Sequence, residues 1–312
     1  MAMLFAMIFW GFSFIWTKQV LDTYKPITII FFRLIISASF LYVVGRITKV
    51  LIPLKAADLK LILVLSFFEP FLYFLGENFG LNRVSSTVTA VLVATIPLFS
   101  PLAAYIFFKE RISAMNFVGI IISVLGVLMV VLKNDLTLAA DVYGILLIML
   151  AVFSAIAYSI FVVKVSDRYN VFSIIMWQNL FGSILFLPLF FIFELGHFRE
   201  IGLQKIPILN IVYLALFASS LAFMLYTYGI RNLGVVKANT LSNTIPVFTA
   251  IFAYFIIGEQ LTLLNIAGIG VVVSGLLLSQ INYDRMPHKM VRAFFHEVVY
   301  RYKKNNNKNI PE

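Results

Sequence analysis

Cysteine is absent from all 312 residues, which excludes disulfides, thiolate nucleophiles and thiolate-bound metals. Charge is also scarce: charged side chains make up 12% of the chain, about half the roughly 25% usual in soluble domains. The 3 histidines, His197, His288 and His296, all lie outside the long apolar runs. No His-Glu-x-x-His helix occurs, and no glycine-rich phosphate loop follows a strand. No catalytic residue, metal ligand or cofactor is therefore expected, and the chain does not read as an enzyme.

What the chain has is apolar surface. Hydrophobic residues account for 62% of it, with 32 Phe and 14 Tyr, and the mean hydropathy is +0.98. That much apolar area calls for lipid as the solvent. A helix needs roughly 20 apolar residues to cross about 30 Å of hydrocarbon. By that ruler the spans are Ala2–Val20, Ile27–Val44, Leu59–Gly80, Ser85–Phe108, Ser113–Leu132, Tyr143–Val165, Val171–Phe193, Ile206–Ile230, Val235–Ile257 and Leu263–Ile281. Strands would alternate in polarity, and these runs are apolar on every face. The first run lacks a basic leader and a small-residue cleavage site before Lys18, so it reads as a retained helix. The predicted fold class is an all-α polytopic membrane protein of about ten transmembrane helices.

A net charge of +10 would also suit a nucleic-acid binder, and position decides between the two readings. With the N-terminus inside, 17 basic residues fall on the cytoplasmic side: Arg46, Lys49, Lys55, Lys60, Lys109, Arg111, Lys164, Arg168, Arg231, Lys237 and seven in the tail. The other side holds 6: Lys18, Lys25, Arg83, Lys133, Arg199 and Lys205. The asymmetry is topological. It predicts both termini in the cytoplasm and a bacterial inner (plasma) membrane protein, with the lipid bilayer rather than nucleic acid as its partner.

Sliding the chain along itself by 149 residues brings Gly80 onto Gly229 and Thr95-Ile96-Pro97 onto Thr244-Ile245-Pro246. It also brings Glu110 onto Glu259, Asn116 onto Asn265, Gly119 onto Gly268 and Gly126 onto Gly275. About 14 of roughly 53 positions agree without a gap. A weaker echo at a slightly smaller shift pairs Lys18 with Lys164 and Tyr24 with Tyr169. The chain reads as a duplication, residues 1–135 and 140–281, followed by a tail, 282–312. Each half has five spans, an odd number, so the second must be inserted upside down relative to the first. Such inverted repeats recur in secondary transporters, with the substrate site near the midplane between the halves.

The repeated blocks are GLNRVSSTVTAVLVATIPLFSPLAAYIFFKERISAMNFVGIIISVLG and GIRNLGVVKANTLSNTIPVFTAIFAYFIIGEQLTLLNIAGIGVVVSG. With FWGFSF near the start and FFRL in the second span, they resemble the EamA domain of the drug/metabolite transporter superfamily over about residues 2–281. The resemblance implies a ten-helix fold with a central cavity, and export or exchange of amino acids, nucleobases, sugars or other small metabolites. The third span departs from it: EPFLYFLGEN carries two carboxylates where an uncharged helix is expected.

Features common to both halves read as architecture: Pro97 and Pro246 as helix kinks, Ser113 and Thr262 as N-caps with Asn116 and Asn265 reaching back. Glu110 and Glu259 read as ties within the helical hairpins they precede. Asymmetric polar residues are the better site candidates. A charge at the bilayer centre costs about 2.5–3.5 kcal/mol on the lenient insertion scale, so such groups face a polar interior. Glu69, Tyr73 and Glu77 follow each other at helical spacing on one broad face of the third span. Arg33, whose counterpart in the second half is Gln178, would neutralise a carboxylate or hold an anionic substrate. Asn239 and Asn243 can donate and accept on one face of the ninth span, or glue helices together. Trp10, Tyr158, Trp177 and Tyr228 would line an aromatic cavity or pack against neighbours.

Past Ile281, Met290, Val291, Phe294, Phe295, Val298, Val299 and Tyr302 form an apolar stripe with Lys289, Arg292 and Arg301 beside it. That pattern predicts a basic amphipathic helix on the cytoplasmic leaflet, dispensable for transport. The functional expectation is a secondary transporter of a small molecule working by alternating access, with protons as a candidate coupling ion through Glu69. A pore and a non-transporting scaffold or sensor are the competing classes. The absence of charged rings disfavours the first, and the polar residues inside the spans disfavour the second.

Overall fold

The apolar runs form helices, and among the residues described no strand occurs. The computed structural model describes residues 2–96, 98–99, 114–131, 141–166, 168–233 and 244–279. The elements are α1 (Ala2–Leu21), α2 (Pro26–Ile47), α3 (Leu59–Ser66), a π segment (Phe67–Leu72), α4 (Tyr73–Leu81) and α5 (Ser86–Val93). They continue with α6 (Ala114–Val131), α7 (Val142–Ser166), α8 (Val171–Leu189), a second π segment (Phe190–Glu194) and α9 (Leu195–Ile201). Last come α10 (Lys205–Tyr213), a third π segment (Leu214–Leu221), α11 (Ala222–Leu233), α12 (Ile245–Ile257) and α13 (Leu263–Ser279). Five stretches are long and apolar enough to cross a bilayer: Ala2–Leu21, Pro26–Ile47, Ala56–Leu81, Val171–Ile201 and Lys205–Tyr226. Four shorter apolar helices accompany them among the described residues. The protein is all-helical and polytopic.

Helices α6 and α13 are repeat counterparts and pack against each other. A Cβ on Gly126 would lie 2.6 Å from Val272 N and 2.9 Å from Gly268 O, while Gly119 abuts Ser279 and Gly275. Residue numbers rise along one helix as they fall along the other, so the two run antiparallel. At the crossing, Ser123 Oγ donates to Val272 O at 3.2 Å, and these two residues stand 149 positions apart. Counterparts can touch only near the axis that relates the copies. A two-fold that reverses a membrane-spanning helix lies in the membrane plane, which is the inverted arrangement.

The capping chemistry follows the sequence at Thr262: its amide donates to Asn265 Oδ1 at 3.1 Å and its hydroxyl accepts from Asn265 N at 3.1 Å. Ser113, Pro97 and Glu110 lie outside the described residues. Helix α5 stops at Val93, whose carbonyl would be the helical acceptor for residue 97, a proline without an amide hydrogen. Pro246 is the second residue of α12, a position where a missing N–H removes no helical bond. The residues ahead of Thr244, which would form the other arm of the expected kink, lie outside the described residues. The hairpin tie expected of Glu259 is corrected. Its carboxylate accepts from Ser86 N at 3.0 Å and Thr87 N at 3.1 Å, filling the N-terminus of α5 from the other half.

Two tyrosines interlock the halves crosswise. Tyr24, after α1, accepts from Gln204 N at 2.8 Å and donates to Gly202 O at 2.8 Å. Tyr169, after α7, accepts from Lys55 N at 3.0 Å and donates to Asp58 Oδ2 at 2.9 Å, and Arg168 also binds Asp58. Tyr24 and Tyr169 are the pair that the weaker repeat echo aligns. Lys55 and Gln204 are counterparts at the 149-residue shift. Each half therefore pins the loop that leads into the other half's third span.

Candidate functional site

The third span is broken. Glu69 has an extended backbone (φ −138°, ψ 118°) inside the π segment, followed by a cis peptide bond to Pro70. Pro70 has no amide hydrogen and cannot continue the helical ladder. Gly182 on α8 makes room for it, since a Cβ there would run into the Pro70 ring. The continuous helical face expected for Glu69, Tyr73 and Glu77 is thereby corrected: the register holds from Tyr73 to Glu77 and fails at Glu69.

A break strands backbone carbonyls, and leaving a buried acceptor unpaired costs about 1–3 kcal/mol. Here the second half supplies the donors. Ser154 Oγ on α7 donates to Phe68 O at 2.6 Å, and Gln178 Nε2 on α8 donates to Glu69 O at 2.8 Å. Tyr158 in turn donates to Gln178 Oε1 at 3.2 Å. The third π segment, which holds the counterparts of these residues, is stitched by the first half in the same manner. Trp10 Nε1 donates to Ala218 O at 3.3 Å and Arg33 Nε to Ser219 Oγ at 2.6 Å. Ser37 bonds Ser220 at 2.8 Å, and Asn179 donates to Ser37 at 2.8 Å. π-Type irregularities concentrate at functional sites.

The two carboxylates of the third span differ in their surroundings. Glu77 is buried and held: Tyr73 OH donates to its Oε1 at 3.0 Å, Asn78 Nδ2 lies 3.5 Å from Oε2, and Arg33 stands 4.0 Å away. Arg33 is itself 4% exposed, with its guanidinium 4.2 Å from the centre of the Phe74 ring. The Glu69 carboxylate has no hydrogen-bond or ion-pair partner among the described residues, although it shares an electrostatic neighbourhood with Glu77 and Arg33. The side chain is half-buried. Tyr158 is linked to the Glu69 backbone through Gln178.

The remaining candidates separate. Trp10, besides its bond to Ala218, packs on Phe223 and Tyr226 at centroid distances of 5.1 and 5.2 Å. Trp177 donates to Ile52 O at 3.1 Å and stacks on Phe181, which is a packing position. Tyr228 is 61% exposed, unlike the partly buried Tyr158 and Trp10. Asn239 and Asn243 lie outside the described residues, as does the tail. Sequence reasoning missed Ser154, Ser219 and Gly182. The repeat alignment held a signal for one of them, since Ser219 is the counterpart of Pro70.

Comparison with known proteins agrees with this architecture. The model of the EamA-like transporter family matches residues 1–132 and again 142–280. An uncharacterized transporter of Bacillus subtilis, YdfC, is 28% identical over 289 residues, covering 91% of this chain and 92% of its own. An uncharacterized transporter of Archaeoglobus fulgidus is 28% identical over 270 residues, covering 86% of this chain and 94% of its own. One protein crystal structure superposes with a TM-score of 0.66 at 13% identity, over 89% of this chain and 94% of that one, a likeness of fold alone. With the family's model matched twice along an all-helical, membrane-spanning chain, this protein belongs to the EamA-like transporter family.

Proposed function

We propose that the protein is a secondary transporter that exports or exchanges a small metabolite by alternating access, with Glu69 as the coupling or substrate-contacting group. The observation that carries this reading is the broken third span. Discontinuous helices at the interface between inverted repeats build substrate sites in carriers, because irregular backbone is tolerated at membrane depth only in protein or against a polar cavity. Here the break is held by donors from the opposite half, and it presents a carboxylate without a hydrogen-bond or ion-pair partner among the described residues. Arg33 and Glu77 form the fixed, charge-balanced part of the interior. In this reading Glu69 changes protonation during the cycle if protons drive it, the protein sits in a bacterial plasma membrane and both termini are cytoplasmic.

Purified protein in proteoliposomes tests the reading. A metabolite panel screened by ligand-induced thermal stabilisation selects the substrate, and radiolabelled counterflow then measures exchange. Saturable flux, accelerated by substrate on the far side, is expected. Unsaturable flux indifferent to the far side would identify a pore. Full proton-dependent flux in Glu69→Gln would remove Glu69 from the coupling step.

A further inference from the structure

The turn that joins α4 to α5 is held from two sides by side chains of opposite charge. Lys18 Nζ, near the end of α1, donates to Leu81 O and Val84 O at 2.8 and 2.9 Å, at the carbonyl end of α4. Glu259, just past α12, accepts from Ser86 N and Thr87 N at the amide end of α5. Each charge meets the helix terminus whose dipole suits it, a cation at a C-terminus and an anion at an N-terminus. Beside this contact Phe14 of α1, Leu81 of α4 and Ala90 of α5 form a small buried apolar cluster, with Ile245 of α12 packed against it. All of it lies toward one membrane face, the one where α1 ends.

The helices on the two sides of the contact have their closest packing elsewhere. A Cβ on Gly11 of α1 would lie 3.0 Å from Phe248 Cβ of α12, and Phe12 stacks on Phe252 at a centroid distance of 3.9 Å. Helix α4 is joined instead to α7: Gly76 abuts the Leu147 carbonyl, Gly80 abuts Ile148, and Arg83 pairs with Asp141 at 2.9 Å. Small residues let such helices approach closely, so parting either pair would undo much packing. Parting α1 and α12 from the α4–α5 turn would undo two side-chain contacts and one small cluster. Helix α4 also begins at the break, where Glu69 leaves helical geometry, so it can tilt without bending a continuous helix.

The closed contact leaves polar atoms unpaired. Asn78 Oδ1 on α4 and the Ser86 and Thr87 hydroxyls on α5 are buried, and among the described residues none has a hydrogen-bond partner. Burial of an unpaired polar atom carries a cost that water would relieve. Three such atoms along the held turn suit a surface that is wetted in another state of the molecule.

We propose that Lys18 and Glu259 are a two-part latch that shuts the transport path at this face, and that it opens when the α4–α5 turn swings away from α1 and α12. This rests on the carrier reading above and supplies one of the two closures that reading requires.

Accessibility labelling of the purified full-length protein in proteoliposomes tests the latch, with an impermeant maleimide as the probe. Ala90→Cys reports on the apolar cluster, Ala215→Cys on a buried position in the third π segment, and Gln260→Cys on the exposed rim of the same face. Rates are referred to Gln260→Cys, which counts the molecules that turn this face outward. Ala90→Cys should react slowly in the intact protein and at least about tenfold faster once Glu259→Gln or Lys18→Met is added, with Ala215→Cys unchanged. Thermal midpoints show whether each variant is folded. An unchanged Ala90→Cys rate in folded variants would overturn the latch, as would equal acceleration at Ala215→Cys, the mark of general loosening. Should neither variant fold, spin labels on Asn82→Cys and Gln260→Cys with both latch residues intact decide: two separations are expected, and a single one overturns the proposal. Labelling requires no substrate. Accelerated labelling in a protein without counterflow would sink the carrier reading and leave the moving turn. Counterflow with Ala90→Cys indifferent to both variants would do the reverse.

Discussion

Gln178 Nε2 donates to the backbone carbonyl of Glu69 at 2.8 Å, reaching from the second half of the chain into the break of the first. Its counterpart Arg33 reaches the other way, from the first half to the Ser219 hydroxyl in the third π segment at 2.6 Å. Each half's second helix thus holds the other half's third span at its weakest point. A change at either contact should be felt in both stability and transport.

Gln178→Met keeps the volume and removes the donor. The Glu69 carbonyl is then left unpaired, and the expected loss is about 1–3 kcal/mol. Denaturation of the purified protein measures it. Unaltered stability together with unaltered counterflow would show that Gln178 does not hold the break.

Arg33→Leu leaves Glu77 buried without its cation, which should cost about 3–5 kcal/mol. The double variant Arg33→Leu/Glu77→Leu removes both charges and should recover much of that loss. The same protocol on single and double variants gives the coupling energy. Additive losses would mean that the 4.0 Å approach contributes little.

Gly126→Ala places a methyl group 2.6 Å from Val272 N and 2.9 Å from Gly268 O, so α6 and α13 must separate. The expected cost is about 1–3 kcal/mol, and assembly of the two halves should weaken with it. Gly270→Ala is the matched control, with nothing within 4 Å of the added atom. That substitution should be neutral or stabilise by up to about 1 kcal/mol. Equal effects at the two positions would contradict the antiparallel packing.

Tyr24→Phe and Tyr169→Phe each delete one crosswise pin. Both should destabilise, Tyr169→Phe the more, because its hydroxyl serves a buried carboxylate, Asp58, and charged acceptors bond more strongly. The pins share no partner, so the double variant should be additive to within about 0.5 kcal/mol.

A chain without cysteine permits single-cysteine topology mapping on an unmodified background. Lys109→Cys should react with an impermeant maleimide from the cytoplasmic side and Gln260→Cys from the opposite side. Labelling of both from one side would collapse the inverted arrangement and the carrier reading with it.

Much of this molecule was legible in its residues. Long apolar runs with short polar connections can satisfy their backbone in lipid only as helices, so the class followed from hydropathy. The 149-residue repeat aligns Ser123 with Val272, and the fold brings that aligned pair into contact, because a duplicated sequence carries its symmetry in its register. The Thr262 cap was readable for a similar reason: it is closed between residues three apart.

Other features became visible only when segments distant in sequence met. Glu69, Tyr73 and Glu77 have helical spacing, and the spacing says nothing of the break. That break persists because Ser154, Gln178 and the space at Gly182 arrive from helices that begin more than 70 residues later. Nor could spacing tell which carboxylate Arg33 answers, since charge pairing depends on distance through space. Residue identity determined what would dissolve in the membrane and how the halves repeat. Tertiary contact decided that Glu77 would meet Arg33 while the Glu69 carboxylate has no such partner among the described residues.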